Sequence, residues 1–309
     1  MPGLKERVAG GIWGLLVGDA LGVPYEFHSA EEIPAPPLIE MTPPPGFRAS
    51  HGVPPGTWSD DGAHALCLLA SLNHCGRLDI DDLGRRLVNW HDHGYLAVDN
   101  RIFDVGIQTA QAIHALREGK PAEHTGPREE MHNGNGSLMR VLPLALWHRG
   151  TDEELVHDAH HQSLPTHGHP RSQVCCALYC LWARRLLHDV ADPYRAAVAM
   201  LRAIYGGAGP HAEELERHVR PDEEHVPRGT GYVVDCLHSA RFALREPSYD
   251  RVVRAAVALG RDTDTTAAVA GGLAGVRDGV EAIPRRWLDQ LRERDTVEPL
   301  LEKLLRQWD

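Results

Sequence analysis

Four glycines recur at every fourth position near the start of this chain, at Gly10, Gly14, Gly18 and Gly22. In an α-helix this spacing puts them on one face, where the missing Cβ lets a neighbouring backbone approach closely. The arrangement persists despite the cost of glycine in a helix, about 1 kcal/mol per residue relative to alanine. The pattern therefore predicts a first helix that packs directly against the backbone of another element.

The rest of the chain has mainly helical hydrophobic patterning. Apolar residues recur at i, i+3 and i+4 in the segments 63–70, 174–181 and 252–259, whereas no convincing alternation of apolar and polar residues predicts a strand. Aromatic residues make up only 6% of the sequence, which favours contacts between small residues. Because 309 residues with 42% hydrophobic content can bury a sizeable core, we expect one all-α domain spanning residues 1–309.

Two segments interrupt this helical pattern. Residues 33–57 contain eight prolines and follow Glu26, so they cannot be helical throughout. A loop of this length is either a lid or a solvated surface excursion, and the sequence leaves both interpretations open. Residues 206–229 are charged and rich in glycine and proline, and we expect them to connect helices within the domain.

Charge and composition exclude several classes of protein. The net charge of −11 argues against a protein that binds duplex nucleic acid, because such proteins need a basic surface. The stretch 5–22 superficially resembles a signal peptide, but Asp19 interrupts it and no uninterrupted apolar run predicts a membrane span. The six cysteines form no CxxC pair and are expected to be buried free thiols. We therefore expect a cytoplasmic monomer.

Two acidic segments about 200 residues apart each lead into an apolar helical run. They are Ser59-Asp60-Asp61 and Asp262-Thr263-Asp264-Thr265. A helix N-terminus needs only one capping side chain, and adjacent buried carboxylates must bind a cation or take up protons. The two segments are therefore either ordinary N-caps or two halves of a site for hard divalent ions such as Mg²⁺, Ca²⁺ or Mn²⁺. An EF-hand is excluded, since its glycine and bidentate glutamate are missing.

Three further features are candidates for chemistry. Glu26 ends the first helix and is either a mobile acid, base or gate, or a solvated charge. The loop at 133–140, Asn-Gly-Asn-Gly-Ser-Leu-Met-Arg, offers backbone amides that can cradle phosphates, although a plain Asn-Gly turn is the alternative. Among 20 histidines, His167 is retained as a candidate; zinc is disfavoured because neither HExxH nor finger spacing is present.

Six segments together carry a resemblance to a known family. They are Gly18-Asp19-Ala20-Leu21-Gly22, Trp58-Ser59-Asp60-Asp61, Phe103-Asp104-Val105-Gly106, the loop from Gly134 to Pro143, Thr166-His167, and the run from Gly260 to Gly275. In order and spacing they resemble the ADP-ribosylglycohydrolase family, which includes the dinitrogenase reductase-activating glycohydrolases. The resemblance covers nearly the whole chain, and the Gly-x-Asp-x-Asp-Thr-x-Ala-Ala segment is its most specific mark.

The resemblance implies a compact orthogonal helical bundle with a binuclear metal site between helix N-termini. It implies two Mg²⁺ or Mn²⁺ ions, held by Ser59, Asp60, Asp61, Asp262, Asp264 and Thr265. It also implies that Glu26 is a metal-linked or gating glutamate, and that the ADP-ribose pocket is lined by Asp104, Gly106, Gly136, Ser137, His167 and Tyr232.

Three positions depart from the family pattern. Ser59 stands where threonine is usual, but serine keeps the ligand oxygen. Gly62 stands where threonine or serine is usual, and the lost hydroxyl is expected to affect metal affinity. Arg261 stands where glycine is common and puts a cation beside the site, where it meets either a phosphate or merely solvent.

The leading hypothesis is a metal-dependent hydrolase that removes ADP-ribose from an arginine-linked acceptor, either a protein or a small guanidine compound. Asp60 or Asp61 would orient the attacking water, and Glu26 would assist proton transfer or open to admit the ligand. The alternatives are a non-catalytic, crystallin-like ADP-ribose-binding protein, a hydrolase of serine-linked, polymeric or other conjugates, and a phosphohydrolase that cleaves the pyrophosphate.

Overall fold

Fourteen α-helices form the regular structure of residues 2–308, the part of the chain that the computed structural model describes. They are α1 (Leu4–Gly22), α2 (Asp60–Cys75), α3 (Ile80–His93), α4 (Ile107–Arg117), α5 (Leu142–Trp147), α6 (Asp152–Ser163), α7 (Pro170–Leu187), α8 (Pro193–Tyr205), α9 (Pro210–Glu214), α10 (Val233–Ala243), α11 (Tyr249–Val257), α12 (Thr263–Asp278), α13 (Arg285–Gln290) and α14 (Arg294–Leu305). Within these residues the chain forms no strand, only an isolated bridge between Gly134 and Tyr232. The all-α prediction is confirmed.

The glycine face of α1 packs against α12 along its whole length. A Cβ added to Gly10 would lie 2.2 Å from the carbonyl oxygen of Gly275, and one added to Gly22 would lie 2.4 Å from the Cα of Asp264. No side chain fits at such distances, so the two backbones are in direct contact. Because α1 and α12 run antiparallel, the end of α1 meets the start of α12. This register brings the region around Gly22 to the second acidic segment.

Two buried tyrosines form hydrogen bonds between the central helices, α1 and α12, and their neighbours. The Tyr249 hydroxyl, at the start of α11, donates to the carbonyl oxygen of Gly14 at 2.7 Å. The Tyr179 hydroxyl, on α7, donates to the carbonyl oxygen of Val269 at 2.9 Å. Both hydroxyls are therefore satisfied inside the core, where an unpaired hydroxyl would cost free energy of folding.

Asp19, an acidic residue inside the apolar helix α1, holds the first turn of α2. Its carboxylate accepts hydrogen bonds from the backbone N–H of Ser59, at 2.9 and 3.1 Å, and from that of Gly62, at 2.8 Å. The first N–H groups of a helix have no partner within the helix, so this carboxylate satisfies them. The end of α1 thus fixes the starts of both α2 and α12, where the two acidic segments lie.

The proline-rich segment 33–57 is attached to the rest of the protein at several points and is open around two of its glycines. At one end Glu40 accepts a hydrogen bond from Trp287 Nε1 at 2.5 Å. At the other, the carbonyl oxygen of Gly56 accepts one from Arg292 N at 3.0 Å. Between these anchors, a Cβ added to Gly46 or Gly52 would have no neighbouring atom within 4 Å. The segment therefore spans the surface beside the acidic cluster.

Three further expectations concern segments outside the site. Residues 206–229, expected only to connect helices, contain the short helix α9 and a π-helical turn at Leu215–Val219. One stretch, Leu4–Tyr25, has the length and composition of a membrane span, yet its most apolar part is wholly buried inside the protein. It is the central core helix of this fold. All six cysteines are free thiols, and only Cys75 is not fully buried.

Candidate active site

A cleft of about 430 Å³ opens beside the starts of α2 and α12. Its walls include most of the residues that the sequence singled out: Glu26, Asp60, Asp104, Gly106, Gly136, His167, Asp262 and Thr265. A larger and more open depression of about 670 Å³ lies elsewhere, around Arg77 and Trp147, and contains none of those residues. The candidate catalytic and ligand-binding residues therefore lie in the smaller cleft.

The two acidic segments meet in space. Oxygen atoms of Asp19, Asp61 and Asp264 lie within 4.8 Å of one another, and so do those of Glu26, Asp262 and Asp264. Asp264 belongs to both groups, so the carboxylates form one continuous cluster. Residues separated by about 200 positions in the chain thus share a single acidic surface at the cleft.

Hydroxyl groups link the two halves of this cluster. Oδ2 of Asp61 accepts hydrogen bonds from Ser59 Oγ at 3.0 Å and from Thr265 Oγ1 at 3.3 Å. Ser59 comes from the start of α2 and Thr265 from the first turn of α12, so Asp61 lies at their junction. On the second segment, Asp262 Oδ2 accepts a hydrogen bond from Asn135 Nδ2 at 2.7 Å. This contact ties the cluster to the 133–140 loop.

Burial and mutual repulsion raise the pKa of every carboxyl group in the cluster. Burial, reinforced by Asp104 and other neighbours, raises the pKa of Glu26 to about 10. Burial raises the pKa of Asp19 to about 7 and that of Asp104 to about 6. The same causes place the pKa values of Asp60, Asp61 and Asp264 well above their usual range, and burial raises that of Asp262. If all these groups were ionised, the cluster would hold more negative charge than its surroundings compensate.

The donor set fits a hard cation. Asp61 Oδ1 and Asp264 Oδ2 are buried and have no hydrogen-bond partner among residues 2–308. A buried unpartnered carboxylate oxygen is costly unless a positive charge satisfies it. Carboxylate and hydroxyl oxygens are the ligands that Mg²⁺ and Mn²⁺ prefer. The acidic groups that the sequence singled out can therefore hold a metal ion.

Glu26 joins the acidic cluster to the proline-rich segment. Its side chain is only 4% exposed, and Oε2 lies 2.5 Å from Nε2 of His51. The His51 ring packs against Phe27 and Phe103, with ring centroids 5.6 and 5.0 Å away. Glu26 therefore has carboxylates on one side and a loop-borne imidazole on the other.

The 133–140 loop and His167 form the wall opposite the carboxylates. A Cβ on Gly136 would lie 2.8 Å from Cε1 of His167, and one on Gly134 would lie 3.4 Å from its Nε2. Gly136 thus leaves room for the imidazole ring, which lines the cleft. Asp104 adopts a left-handed backbone conformation, with φ of 55°, and reaches the cleft just before the start of α4.

Two residues expected to line the ADP-ribose pocket have side chains elsewhere. Ser137 is fully buried behind the loop, where its hydroxyl lies 2.9 Å from Ser163 Oγ and 3.5 Å from Cys176 Sγ. The Tyr232 hydroxyl accepts a hydrogen bond from Arg171 at 3.2 Å. Neither side chain is part of the cleft wall. The hydroxyl of Ser137 points inward because the helical turn after Gly136 rotates it toward α6.

The structure gives a different reason for glycine at position 62 from the one expected. A Cβ there would lie 2.8 Å from both Leu16 Cδ2 and Trp58 Cγ. No side chain fits without repacking the core, so the glycine is a steric requirement of the junction between α1 and α2. Arg261 is exposed to solvent, one of the two alternatives expected for it, and its guanidinium donates to the carbonyl oxygen of Arg228 at 2.8 Å. It does not line the cleft.

Sequence reasoning missed Asp19, His51 and Asn135 as parts of the site. Asp19 could have been identified from the sequence, because a carboxylate inside an apolar helix needs a partner. Asn135 lay within a loop already singled out, but its bond to Asp262 depends on the packing of two distant segments. His51 carried no local signal, because nothing in its own segment indicates that it meets Glu26.

The chain resembles several proteins over nearly its whole length. The model of the ADP-ribosylglycohydrolase family matches residues 1–309. The ADP-ribosylarginine hydrolase Tri1 of Serratia proteamaculans is 30% identical over 305 residues, which cover 97% of this chain and 79% of the relative. The ADP-ribosyl-[dinitrogen reductase] glycohydrolase of Rhodospirillum rubrum is 32% identical over 301 residues, with 94% and 92% coverage.

A solved structure has the same fold. It is described as an ADP-ribosylglycohydrolase-related protein complex, is 31% identical in sequence, and superposes with a TM-score of 0.77 over 99% of both chains. Sequence and fold thus agree over the same length, including both acidic segments. The chain belongs to the ADP-ribosylglycohydrolase family.

Proposed function

We propose that this protein hydrolyses the bond between arginine and ADP-ribose, on a modified protein or a small guanidine compound. The observation that carries the proposal is the continuous carboxylate cluster with two unpartnered buried oxygens, on Asp61 and Asp264, beside an open cleft. Arginine is the acceptor we infer, because the relatives from Serratia proteamaculans and Rhodospirillum rubrum are named for ADP-ribosylarginine and for ADP-ribosyl-dinitrogen reductase.

The acidic cluster is proposed to hold two Mg²⁺ or Mn²⁺ ions. The oxygen donors would come from Ser59, Asp60, Asp61, Asp262, Asp264 and Thr265, with Glu26 beside them. When bound, the ions supply positive charge that offsets the crowded carboxylates, engages ribose hydroxyls and favours ionisation of a nearby water. The hydroxyl-to-carboxylate bonds at Asp61 would keep its oxygens oriented before the ions arrive.

The chain's own groups then account for the proton movements of hydrolysis. Asp60 or Asp61 would accept a hydrogen bond from the attacking water and orient it toward the anomeric carbon of the distal ribose. A carbon–oxygen bond forms, and the bond between that carbon and the guanidinium nitrogen breaks. The proton released by the water would return to the departing arginine, and we propose that Glu26 relays it. The products are the unmodified arginine or guanidine acceptor and intact ADP-ribose.

The opposite wall of the cleft would receive the rest of ADP-ribose. Asp104, Gly106, Gly136 and His167 line this wall and offer hydrogen-bonding groups to ribose and phosphate oxygens. Ser137 and Tyr232 would contribute through their backbone positions, because their hydroxyls are engaged elsewhere. We infer that the protein is cytoplasmic, since six free thiols suit a reducing compartment.

A panel of differently linked substrates tests this function. ADP-ribosyl-arginine, serine-linked ADP-ribose, poly(ADP-ribose) and free ADP-ribose are incubated with the protein and Mg²⁺, and the products are resolved by mass spectrometry. We expect ADP-ribose from the arginine substrate, and none after Asp60→Ala or Asp264→Ala. Cleavage of only serine-linked or polymeric substrate would refute the arginine assignment. AMP with ribose phosphate would indicate pyrophosphate cleavage instead, and binding without turnover would indicate a binding protein.

A further inference from the structure

Arg140 is a fully buried cation that donates to neutral oxygens. It is 0% exposed, and within residues 2–308 it forms no ion pair. Its guanidinium donates instead to neutral oxygens: the side chain and carbonyl of Gln162 at 3.1 and 2.6 Å, the carbonyl of Gly136 at 3.3 Å, and Oγ1 of Thr166 at 2.7 Å. Burying an unpaired cation costs free energy of folding, so we expect the hydrogen bonds of Arg140 to have a role beyond packing.

The Thr166 hydroxyl links the Arg140 guanidinium to the imidazole of His167. Thr166 is fully buried, and its Oγ1 lies 2.8 Å from Nδ1 of His167. Because a guanidinium can only donate, Oγ1 accepts from Arg140, and the hydroxyl hydrogen needs an acceptor of its own. In the described part of the chain the imidazole Nδ1 is the one acceptor placed against this hydroxyl. The Thr166 hydroxyl therefore donates to Nδ1.

This direction of donation sets the tautomer of His167. A neutral imidazole whose Nδ1 accepts a hydrogen bond carries its proton on Nε2. The ring is neutral, since burial and the positive charge of Arg140 hold the pKa of His167 well below its usual range. Its backbone is also fixed, because the N–H donates to the Ser163 carbonyl at 2.7 Å and the carbonyl accepts from Ser163 Oγ at 2.7 Å.

The protonated Nε2 lies at the cleft wall. The ring lines the cleft beside Gly134 and Gly136, and no group among residues 2–308 accepts a hydrogen bond from Nε2. The cleft thus contains an oriented N–H donor on the wall opposite the carboxylates. A ligand oxygen that accepts this hydrogen would satisfy it.

We propose that Arg140 and Thr166 are positioning residues that hold His167 as the Nε2–H tautomer, so that His167 donates a hydrogen bond to an oxygen of the bound ligand. The identity of that ligand as ADP-ribose rests on the proposed function, but the tautomer does not. A lone pair at Nε2 would repel a phosphate or hydroxyl oxygen at the same place. The buried guanidinium of Arg140 therefore influences which ligand binds, and it does so through the side chains of Thr166 and His167.

The tautomer is measured by long-range ¹H–¹⁵N correlation NMR on protein labelled with ¹⁵N-histidine. We expect His167 to show a protonated Nε2 and an unprotonated Nδ1 at neutral pH. The spectrum of His167→Gln identifies the signal by its disappearance. A protonated Nδ1 in the unmodified protein would overturn the proposal, whatever the protein's activity.

Variants of Thr166 test the coupling to the ligand, with ADP-ribose as the calorimetric probe. Thr166→Val keeps the shape but removes the hydroxyl, so we expect the Nδ1–H form to become populated and affinity to fall about tenfold. Thr166→Ser keeps the hydroxyl and is expected to keep both the tautomer and the affinity. Equal behaviour of the two variants would refute the relay.

Two further measurements distinguish a failure of this proposal from a failure of the proposed function. Mn²⁺ titration reports the acidic cluster, and we expect Thr166→Val to bind Mn²⁺ as the unmodified protein does. Altered Mn²⁺ binding would show general disruption of the site and contradict the proposal. If ADP-ribose does not bind the unmodified protein, the proposed function is wrong, while the NMR experiment still decides the tautomer.

Discussion

Nε2 of His51 lies 2.5 Å from Oε2 of Glu26, so an imidazole of the proline-rich segment contacts a carboxylate of the acidic cluster directly. Backbone and ring contacts also hold the middle of the segment: Ser50 N donates to the carbonyl oxygen of Pro24 at 3.3 Å, and the Phe47 ring packs against Tyr25. Arg48 lies between Phe47 and Ser50 and is exposed. We predict that His51→Ala loosens this middle part. A lost hydrogen bond of about 1 kcal/mol should raise local opening about fivefold.

Trypsin cleavage after Arg48, followed by mass spectrometry, measures this opening. His93→Ala, at an exposed position at the end of α3, is the matched control and should leave the rate unchanged. Cleavage at the unmodified rate in His51→Ala would show that the contact does not hold the segment.

Asp264→Asn is predicted to stabilise the metal-free protein while removing its response to metal. Asp264 is fully buried, and burial together with repulsion from Glu26 and Asp61 raises its pKa well above the usual range. An amide removes that repulsion, so the metal-free protein should gain about 1–2 kcal/mol of unfolding free energy. Mg²⁺ should then no longer raise the melting temperature.

Thermal unfolding with and without Mg²⁺ tests this prediction, and hydrolysis should fall at least about a hundredfold because a proposed ligand is lost. Asp289→Asn, whose side chain is 53% exposed, is the control and should change neither property. A less stable metal-free Asp264→Asn protein would argue that this carboxylate is structurally satisfied without a cation.

Gly62→Ser is predicted to destabilise the fold without improving metal binding. The added Cβ would lie 2.8 Å from Leu16 Cδ2 and Trp58 Cγ, and overpacking of this kind costs about 1–3 kcal/mol. Gly52→Ser is the matched control, because nothing lies within 4 Å of its Cβ position. Urea unfolding and Mn²⁺ titration of both variants give the comparison. Tighter Mn²⁺ binding at unchanged stability would instead support the missing hydroxyl as the important feature.

Acid is predicted to destabilise the protein partly through His238. Burial lowers the pKa of this residue from 6.5 to about 4, and its Nε2 lies 2.8 Å from the carbonyl oxygen of Val219. Between these pH values the unfolded chain binds a proton at His238 that the folded protein does not. The unfolding free energy therefore falls as pH decreases from about 6.5 toward 4, by about 2 kcal/mol at pH 5 from this residue.

His238→Gln removes that proton uptake and can still donate to the Val219 carbonyl. Its loss of stability between pH 7 and pH 5, measured by urea unfolding, should be smaller than that of the unmodified protein. His114→Gln, whose side chain is 73% exposed, is the control and should retain the original pH dependence. An unchanged pH dependence in His238→Gln would show that His238 is protonated in the folded state.

The sequence alone determined the features that depend on local geometry and residue chemistry. A helical period and a four-residue glycine spacing are properties of consecutive residues, so the all-α fold and the close-packed face of α1 followed from them. An excess of carboxylates at two helix starts follows equally from residue type, and it led to the hypothesis of a cation site. The family resemblance then related the two segments to each other.

Only the tertiary structure decided which groups meet. The glycine spacing does not identify α12 as the partner of α1, and the antiparallel register between them places Asp264 beside Gly22. The rotation of a helical turn directs the Ser137 hydroxyl to Ser163, away from the cleft. The physical reason is that helix formation is governed by neighbours along the chain, whereas these contacts depend on how distant helices pack around one core.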